Sequence, residues 1–270
     1  MKKLLKKPEF IIGTTMIFIT ILVAIFAPFI ATHDPMTLTD DLLTPPGREY
    51  YFGTDNLGRD VFSMAIYGTR ASLYVGITAA IISTLIGITI GAITGYYGGL
   101  FDKVVSEIIN IFLMIPTFFL IILCVSFYGS GIRNVVIVIA LTSWMGTARM
   151  MRAQTMSIKE RDFINSSICM GESDFNIIFR HILPHGIFPI VVNATLSISS
   201  AILYEASLSF LGLGDRTIVS WGQLIYNGRA YLTNAWWITT FAGLFLVFVV
   251  VGFSMIANGI NKMLVDESNE

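Results

Sequence analysis

Residues 159–185, KERDFINSSICMGESDFNIIFRHILPH, are the stretch from which the fold is read. This stretch is polar and charged, yet apolar segments of membrane-spanning length flank it on both sides. Within it Phe175, Ile178, Phe179 and Ile182 recur at i, i+3, i+4 and i+7, the spacing of one helical face. Glu172, Asn176 and Arg180 fall off that stripe. Ser173 is placed to cap the start of this helix and Pro184 to stop its end. Asp162–Met170 reads as a second short helix, and Gly171 allows the turn between the two. The expectation is a helix–glycine–helix hairpin at a membrane surface. Its apolar face suits a partner's groove or, on spacing alone, a bed of lipid headgroups.

Composition agrees with a membrane setting. Of 270 residues 54% are hydrophobic and only 13% charged, whereas soluble domains carry about 25% charged residues. The mean hydropathy is +0.74. A net charge of -1 gives no electrostatic case for nucleic acid. Cys124 and Cys169 lack metal-type spacing and read as small packing residues. His33, His181 and His185 have no ligand spacing either. The last two are four apart but flank Pro184 on the hairpin, so no metal site is expected.

A helix needs about 20 mostly apolar residues to cross the hydrocarbon core. Six stretches qualify as candidates: Phe10–Ile30, Leu73–Tyr96, Val104–Phe127, Val135–Met151, Phe188–Leu211 and Trp236–Ile260. The first has a rival reading as a signal peptide, but its apolar run exceeds the usual length and five further spans follow. Pro116 predicts a kink within the third span. Arg149 and Arg152 close the fourth early. With the N-terminus inside, the inner segments hold Lys2, Lys3, Lys6, Lys7, Lys103, Arg149, Arg152, Lys159, Arg161, Arg180 and Lys262. The outer segments hold Arg48, Arg59, Arg70, Arg133, Arg216 and Arg229, so 11 basic residues face 6. That bias predicts both ends, and the hairpin, in the cytoplasm.

The fold class expected is an all-α integral membrane protein of six transmembrane helices, N-in and C-in. Residues 1–31 form the tail and first helix, and 32–70 an extracytoplasmic segment rich in turn signals. That segment ends in a short amphipathic helix over Asp60–Tyr67. Residues 71–262 form a five-helix core carrying the hairpin, and 263–270 an acidic cytoplasmic tail. Trp236 and Trp237 read as an interfacial anchor, and Gly91, Gly95 and Gly98–Gly99 as sites of close helix approach.

Gly171 followed by Ile182-Leu183-Pro184 resembles the cytoplasmic loop of ABC importer permeases, whose pattern is Glu-Ala-Ala, three residues, Gly, then Ile-Leu-Pro. Asn165-Ser166-Ser167 stands where the family has Glu-Ala-Ala. The resemblance covers nearly the whole chain. Phe52-Gly53-Thr54-Asp55-Asn56-Leu57-Gly58-Arg59-Asp60-Val61-Phe62-Ser63, Glu205-Ala206-Ser207-Leu208-Ser209-Phe210-Leu211-Gly212-Leu213-Gly214 and Trp221-Gly222-Gln223 are similar to the dipeptide, oligopeptide and nickel permease subfamily. Its C-type subunit matches in length and first-loop arrangement. Ala242 replaces a common Pro, and Glu107 and Asn110 precede Ile115-Pro116 where relatives often carry a basic residue and an acid.

The resemblance implies a permease type I fold and a second, homologous permease subunit forming a heterodimer. It also implies two ATPase subunits holding ATP and Mg, and an extracytoplasmic substrate-binding protein. The setting would be the lipid bilayer of a bacterial or archaeal inner membrane. The cargo would be di- or oligopeptides, or alternatively nickel or a metal chelate. The ATPases would couple through Asn165, Ser166, Ser167, Gly171, Phe175, Ile178, Phe179, Ile182, Leu183 and Pro184. Their closure would draw the docked hairpins together and switch access. The chain itself has no Gly-x4-Gly-Lys-Ser/Thr loop and needs no cofactor of its own.

Three sites are weighed singly. Glu205, deep in a span, lines the passage or a permease interface, or is a structural carboxylate bonded to a neighbouring helix. Glu107 and Asn110 line the passage, or Glu107 lies at the cytoplasmic headgroups. Arg59 and Asp60 touch the binding protein, or fix their own turn. An intramembrane enzyme would need a nucleophile with its base, or a metal pair, within the spans, and no span contains a His. A plain membrane scaffold would explain the spans but not the hairpin.

Overall fold

The computed structural model describes residues 7–269, so Lys2, Lys3 and Lys6 of the basic start and Glu270 of the tail lie outside the described residues. The regular structure of the described residues is helical, apart from an isolated bridge between Thr54 and Asp60. The principal helices are α1 (Pro8–Ile25), α2 (Val61–Tyr97), α3 (Gly99–Met114), α4 (Thr117–Tyr128), α5 (Ile132–Lys159), α6 (Asp162–Cys169), α7 (Asp174–Phe210), α8 (Trp221–Gly228) and α9 (Trp236–Asn269). Five of them, α1, α2, α5, α7 and α9, are long and apolar enough to cross a membrane. The bent pair α3 and α4 makes a sixth if it is one span.

The helices depart from the sequence-based expectation at four places, each for a local reason. First, Asp60–Tyr67 is no separate helix: Asp60 caps α2, accepting from the Phe62 and Ser63 amides, and the helix runs unbroken for 37 residues. Second, Pro116 does more than kink a span. Ile115 and Pro116 both take extended backbone (ψ 125° and 122°), and α3 and α4 meet at 89°. The ring disfavours helical backbone in the residue before it. Third, α5 continues past Arg149 and Arg152 to Lys159 because α3 satisfies both guanidiniums. Arg149 Nη2 donates to Asn110 Oδ1 at 2.8 Å, and Arg152 forms a two-pronged ion pair with Asp102. Fourth, Pro184 does not end the hairpin helix. Ile177–Ile182 form a π-helical segment and Pro184 sits in the first turn of the α-helix that follows, Leu183–Phe210. A wider turn before the proline removes the clash its ring would otherwise make.

α2 and α5 form the centre of the bundle. Gly87, Gly91 and Gly95 lie every fourth residue along α2. A Cβ there would sit 2.6 Å from Thr147 Cβ, 2.8 Å from Met151 Cβ and 2.7 Å from Thr155 Cβ. Small residues at this spacing let two backbones meet where lipid supplies no hydrophobic drive between helices. α7 packs against both, burying Ile190, Ala201, Ile202 and Leu208. α1 lies antiparallel along α9, held at its start by Lys7–Asp266 and Glu9–Lys262 ion pairs. α3 begins beside Arg152 at the hairpin end, and α4 finishes at the far end, where the Tyr128 carbonyl accepts from Asn134 Nδ2 at 2.7 Å.

The segment before α2 folds against the start of α9. Trp237 is buried and donates to the Thr54 carbonyl at 3.1 Å, and Phe52 stacks on Phe241 with centroids 3.9 Å apart. Trp237 is therefore a keystone of this layer rather than an interfacial anchor, and only Trp236 of the pair is exposed.

Candidate functional site

The hairpin turn is built as the local sequence dictates. α6 ends at Cys169, Gly171 takes φ +77°, its amide donates to Ile168 O at 3.0 Å, and the Glu172 amide donates to Ser167 O at 3.2 Å. These two bonds are the paired closure of a helix ended by a left-handed residue, a conformation that favours glycine. Ser173 Oγ then accepts from the Asn176 amide at 3.4 Å and opens α7. Glu172 and His181 meet across the turn at 2.8 Å.

The apolar stripe divides in two. Ile178 and Ile182 turn inward with Ile177 and pack with Ile164 of α6, Ile158 of α5 and Ala92 of α2. Phe175 and Phe179 stay outside, 67% and 53% exposed, their rings 4.4 Å apart. A docking face holding all four is thus corrected. The π turn advances each residue through a smaller angle than the α spacing assumes, so the stripe rotates partway along. Asn165 and Ser166 are exposed, Ser167 is buried, Leu183 is half-buried and Pro184 is exposed. Met170 and Ile168 extend the exposed apolar edge around the turn.

The polar candidates elsewhere are placed apart from one another. Glu205 is 7% exposed, and its Oε1 accepts from Ser209 Oγ at 2.8 Å and Ser220 Oγ at 2.7 Å. Ser220 in turn caps α8 by accepting from the Gln223 amide at 3.2 Å. The adjoining cavity is about 10 Å³, enough for one water at most. Through Oε1 Glu205 links α7 to Ser220 at the start of α8, while its buried Oε2 has no hydrogen-bond partner among the described residues. Glu107 is exposed on α3, and Asn110 is engaged by Arg149. Asp60 is 2% exposed. Arg59 Nη2 pairs with the buried Asp55 at 2.6 Å. Both fix the turn before α2, and neither Asp60 nor the engaged face of Arg59 presents a free surface.

Between α2, α5 and α7 lies a recess of about 180 Å³, which also reaches Leu113 and Thr117 at the α3–α4 bend. Its hydroxyls are Ser83, Thr117, Thr142, Ser143, Ser197, Ser200 and Tyr204, and no charged side chain lines it. Ser83, Thr142, Ser197 and Ser200 donate to carbonyls of their own helices at 2.8–3.2 Å. Spacing had not marked these residues, because single serines and threonines in apolar helices look like ordinary filler.

Asp102 and Asp215 likewise stand in no sequence pattern that marks them. Asp215 Oδ2 accepts from the Ile132 amide at 3.0 Å, capping α5 from a loop 83 positions away. Burial draws its carboxyl upward, but bonds from the Thr217 hydroxyl, the Thr217 amide and the Ile132 amide outweigh this and hold it below the usual carboxylate range. A lowered folded-state value means stabilisation that is full above the ordinary carboxylate range and lost as pH falls through the lowered value. Asp215→Asn should therefore flatten the acid side of a melting-temperature profile against pH. An unchanged profile would count against the cap.

A helical bundle with five long apolar helices, a bent pair and a hairpin of this build has the make-up of an integral membrane protein. The chain belongs to the family described as "Binding-protein-dependent transport system inner membrane component", whose profile matches residues 87–267. Residues 1–46 match the "N-terminal TM domain of oligopeptide transport permease C". The chain is 38% identical over 265 residues to the dipeptide transport system permease protein DppC of Alkalihalophilus pseudofirmus, covering 97% of this chain and 87% of that one. It is 34% identical over 257 residues to the oligopeptide transport system permease protein OppC of Bacillus subtilis, covering 94% and 84%. In fold it is similar to a chain of the inward-facing MetNI methionine ABC transporter, with TM-score 0.59 and 21% identity over 73% of this chain and 96% of that one. It is a membrane permease subunit of the ABC importer class.

Proposed function

We propose that this subunit forms half of a passage for di- and oligopeptides in a bacterial or archaeal inner membrane. A second, homologous permease supplies the other half. Two ATPases dock from the cytoplasm and carry the ATP and Mg, and an extracytoplasmic protein delivers the solute. The carrying observation is the hairpin with Phe175 and Phe179 held outward as an adjacent apolar pair, their rings tilted by 32°, a shape that suits insertion into a hydrophobic groove. The relatives reported above are named for peptides, which supports peptide over nickel. The neutral recess among α2, α5 and α7 is the solute-facing part of this half.

The same geometry supports a six-crossing topology with both ends inside. Ion pairs from Lys7 and Glu9 to the end of α9 support both termini on one side. An even number of crossings then requires α3 and α4 to count as one, giving six, and the basic bias favours that side as cytoplasmic.

Co-purification tests the reading. Gly171→Val puts a β-branched residue at a positive φ, which is strongly disfavoured. Phe175→Glu with Phe179→Glu leaves the turn intact and removes the exposed apolar pair. Both variants should reach the membrane and lose ATPase capture and peptide uptake by at least about tenfold, the usual scale for deleting an interface anchor. Undiminished capture by the double variant would overturn hairpin docking.

A further inference from the structure

At the end of α2, side chains from three elements converge. Tyr96 Oη donates to Asp174 Oδ1 at 2.7 Å, and Asp174 opens the second arm of the hairpin. Lys159, the last residue of α5, donates to the Tyr96 carbonyl at 2.5 Å and lies 5.1 Å from the centroid of its ring. A cation is favourable at a helix C-terminus. Tyr96 is itself buried in the cluster that holds Ile158, Ile164, Ile177 and Ile178. Beyond it Gly98 and Gly99 take φ of +64° and +67°, with open space where side chains would be, so α3 hangs on a pliant link.

The hairpin is joined by the chain to α5 at Lys159 and to the rest of α7 at its other end, and it touches α2 laterally. The covalent link along α7 passes through the π segment Ile177–Ile182, a local departure from α-helical bonding. The lateral one passes through Tyr96–Asp174 into α2, which the Gly87–Gly91–Gly95 stripe locks onto α5.

We propose that Tyr96 and Asp174 are positioning residues that pass displacement of the docked hairpin to the α2–α5 pair, and so to the recess between α2, α5 and α7. This rests on the reading of residues 159–185 as the ATPase-docking hairpin. The bond between the two side chains is the latch, with Lys159 holding the tyrosine's backbone in place.

The test uses the complete importer, both permeases with ATPases and binding protein, reconstituted in proteoliposomes with a dipeptide. ATPase bound, ATP hydrolysed and peptide imported are measured separately. Tyr96→Phe keeps the ring and its packing but removes the donor; Asp174→Ala removes the acceptor; Asp174→Asn retains an acceptor oxygen. Tyr96→Phe, outside the docking hairpin, should bind ATPases and hydrolyse ATP as the wild type does while peptide imported per ATP falls about tenfold, the scale of one lost hydrogen bond to a charged group. Asp174→Ala should show the same fall in peptide imported per ATP when counted per ATPase bound. Asp174→Asn should recover most of that ratio. An unchanged ratio in Tyr96→Phe and Asp174→Ala overturns the latch. So does a fall in import that only tracks lost ATPase binding, because a purely structural bond would act that way. A wild-type complex that captures no ATPase overturns hairpin docking itself, and is read before any variant.

Discussion

Gly91→Leu is expected to abolish the folded permease. A Cβ at Gly91 would lie 2.8 Å from Met151 Cβ, with the Ala148 carbonyl closer still. Both are held by the backbone of α5 and cannot swing aside. The isobutyl group must therefore push α2 and α5 apart and unseat Gly87 and Gly95 from Thr147 and Thr155 as well. Overpacking of a tight contact costs about 1–3 kcal/mol, and separation of the central helix pair places this case at the upper end or beyond. Gly243→Ala is the matched control, because a Cβ there meets nothing within 4 Å. Thermal unfolding of detergent-purified protein should show Gly91→Leu lost or melting far below wild type, with Gly243→Ala close to it. Equal melting of the two would refute the close-contact account of the α2–α5 pair.

Arg152→Ala is expected to cost about 3 kcal/mol, because removing one partner of a largely buried ion pair strands the other charge. Asp102 is that other charge, only 11% exposed in its side chain, with Ser106 Oγ its remaining donor at 3.3 Å. The loss should loosen α3 from α5 and let the pliant Gly98–Gly99 link swing. Asp102→Leu combined with Arg152→Leu removes both charges and should melt above Arg152→Ala alone. A double-mutant cycle on melting free energies measures the coupling. Additivity of the two single losses would show that the pair contributes nothing jointly.

Local features of the chain were legible where one or two neighbouring residues decide the backbone. Gly171 and Ser173 announced the hairpin turn and its cap, and long apolar runs announced the helices, because membrane burial is a matter of composition over about 20 residues. What escaped depends on partners far along the chain. Arg152 looked like the end of a helix because its acid lies fifty positions earlier, at Asp102. Asp215 carried no sign that it caps α5. Pro184 looked like a stop because the π turn that accommodates it leaves no mark in residue spacing, and the same turn hid the split between Phe175–Phe179 outside and Ile178–Ile182 inside. Glu205 admitted a functional and a structural reading on the rarity of buried acids, and the two serine hydroxyls that engage its Oε1 leave its buried Oε2 without a partner among the described residues.

The recess between α2, α5 and α7 bears no charged side chain, and for the proposed passage this has an electrical consequence. On the proposed function, a solute in this half of the passage meets no fixed charge of opposite sign, and the membrane potential acts on its net charge. That work is about 2.3 kcal/mol per elementary charge at 100 mV. A zwitterionic dipeptide crosses without electrical work, whereas one bearing an extra lysine or glutamate is helped or hindered by the field. Any discrimination by charge in this half of the passage then belongs to the energised membrane, leaving shape and hydrogen bonding to the hydroxyls.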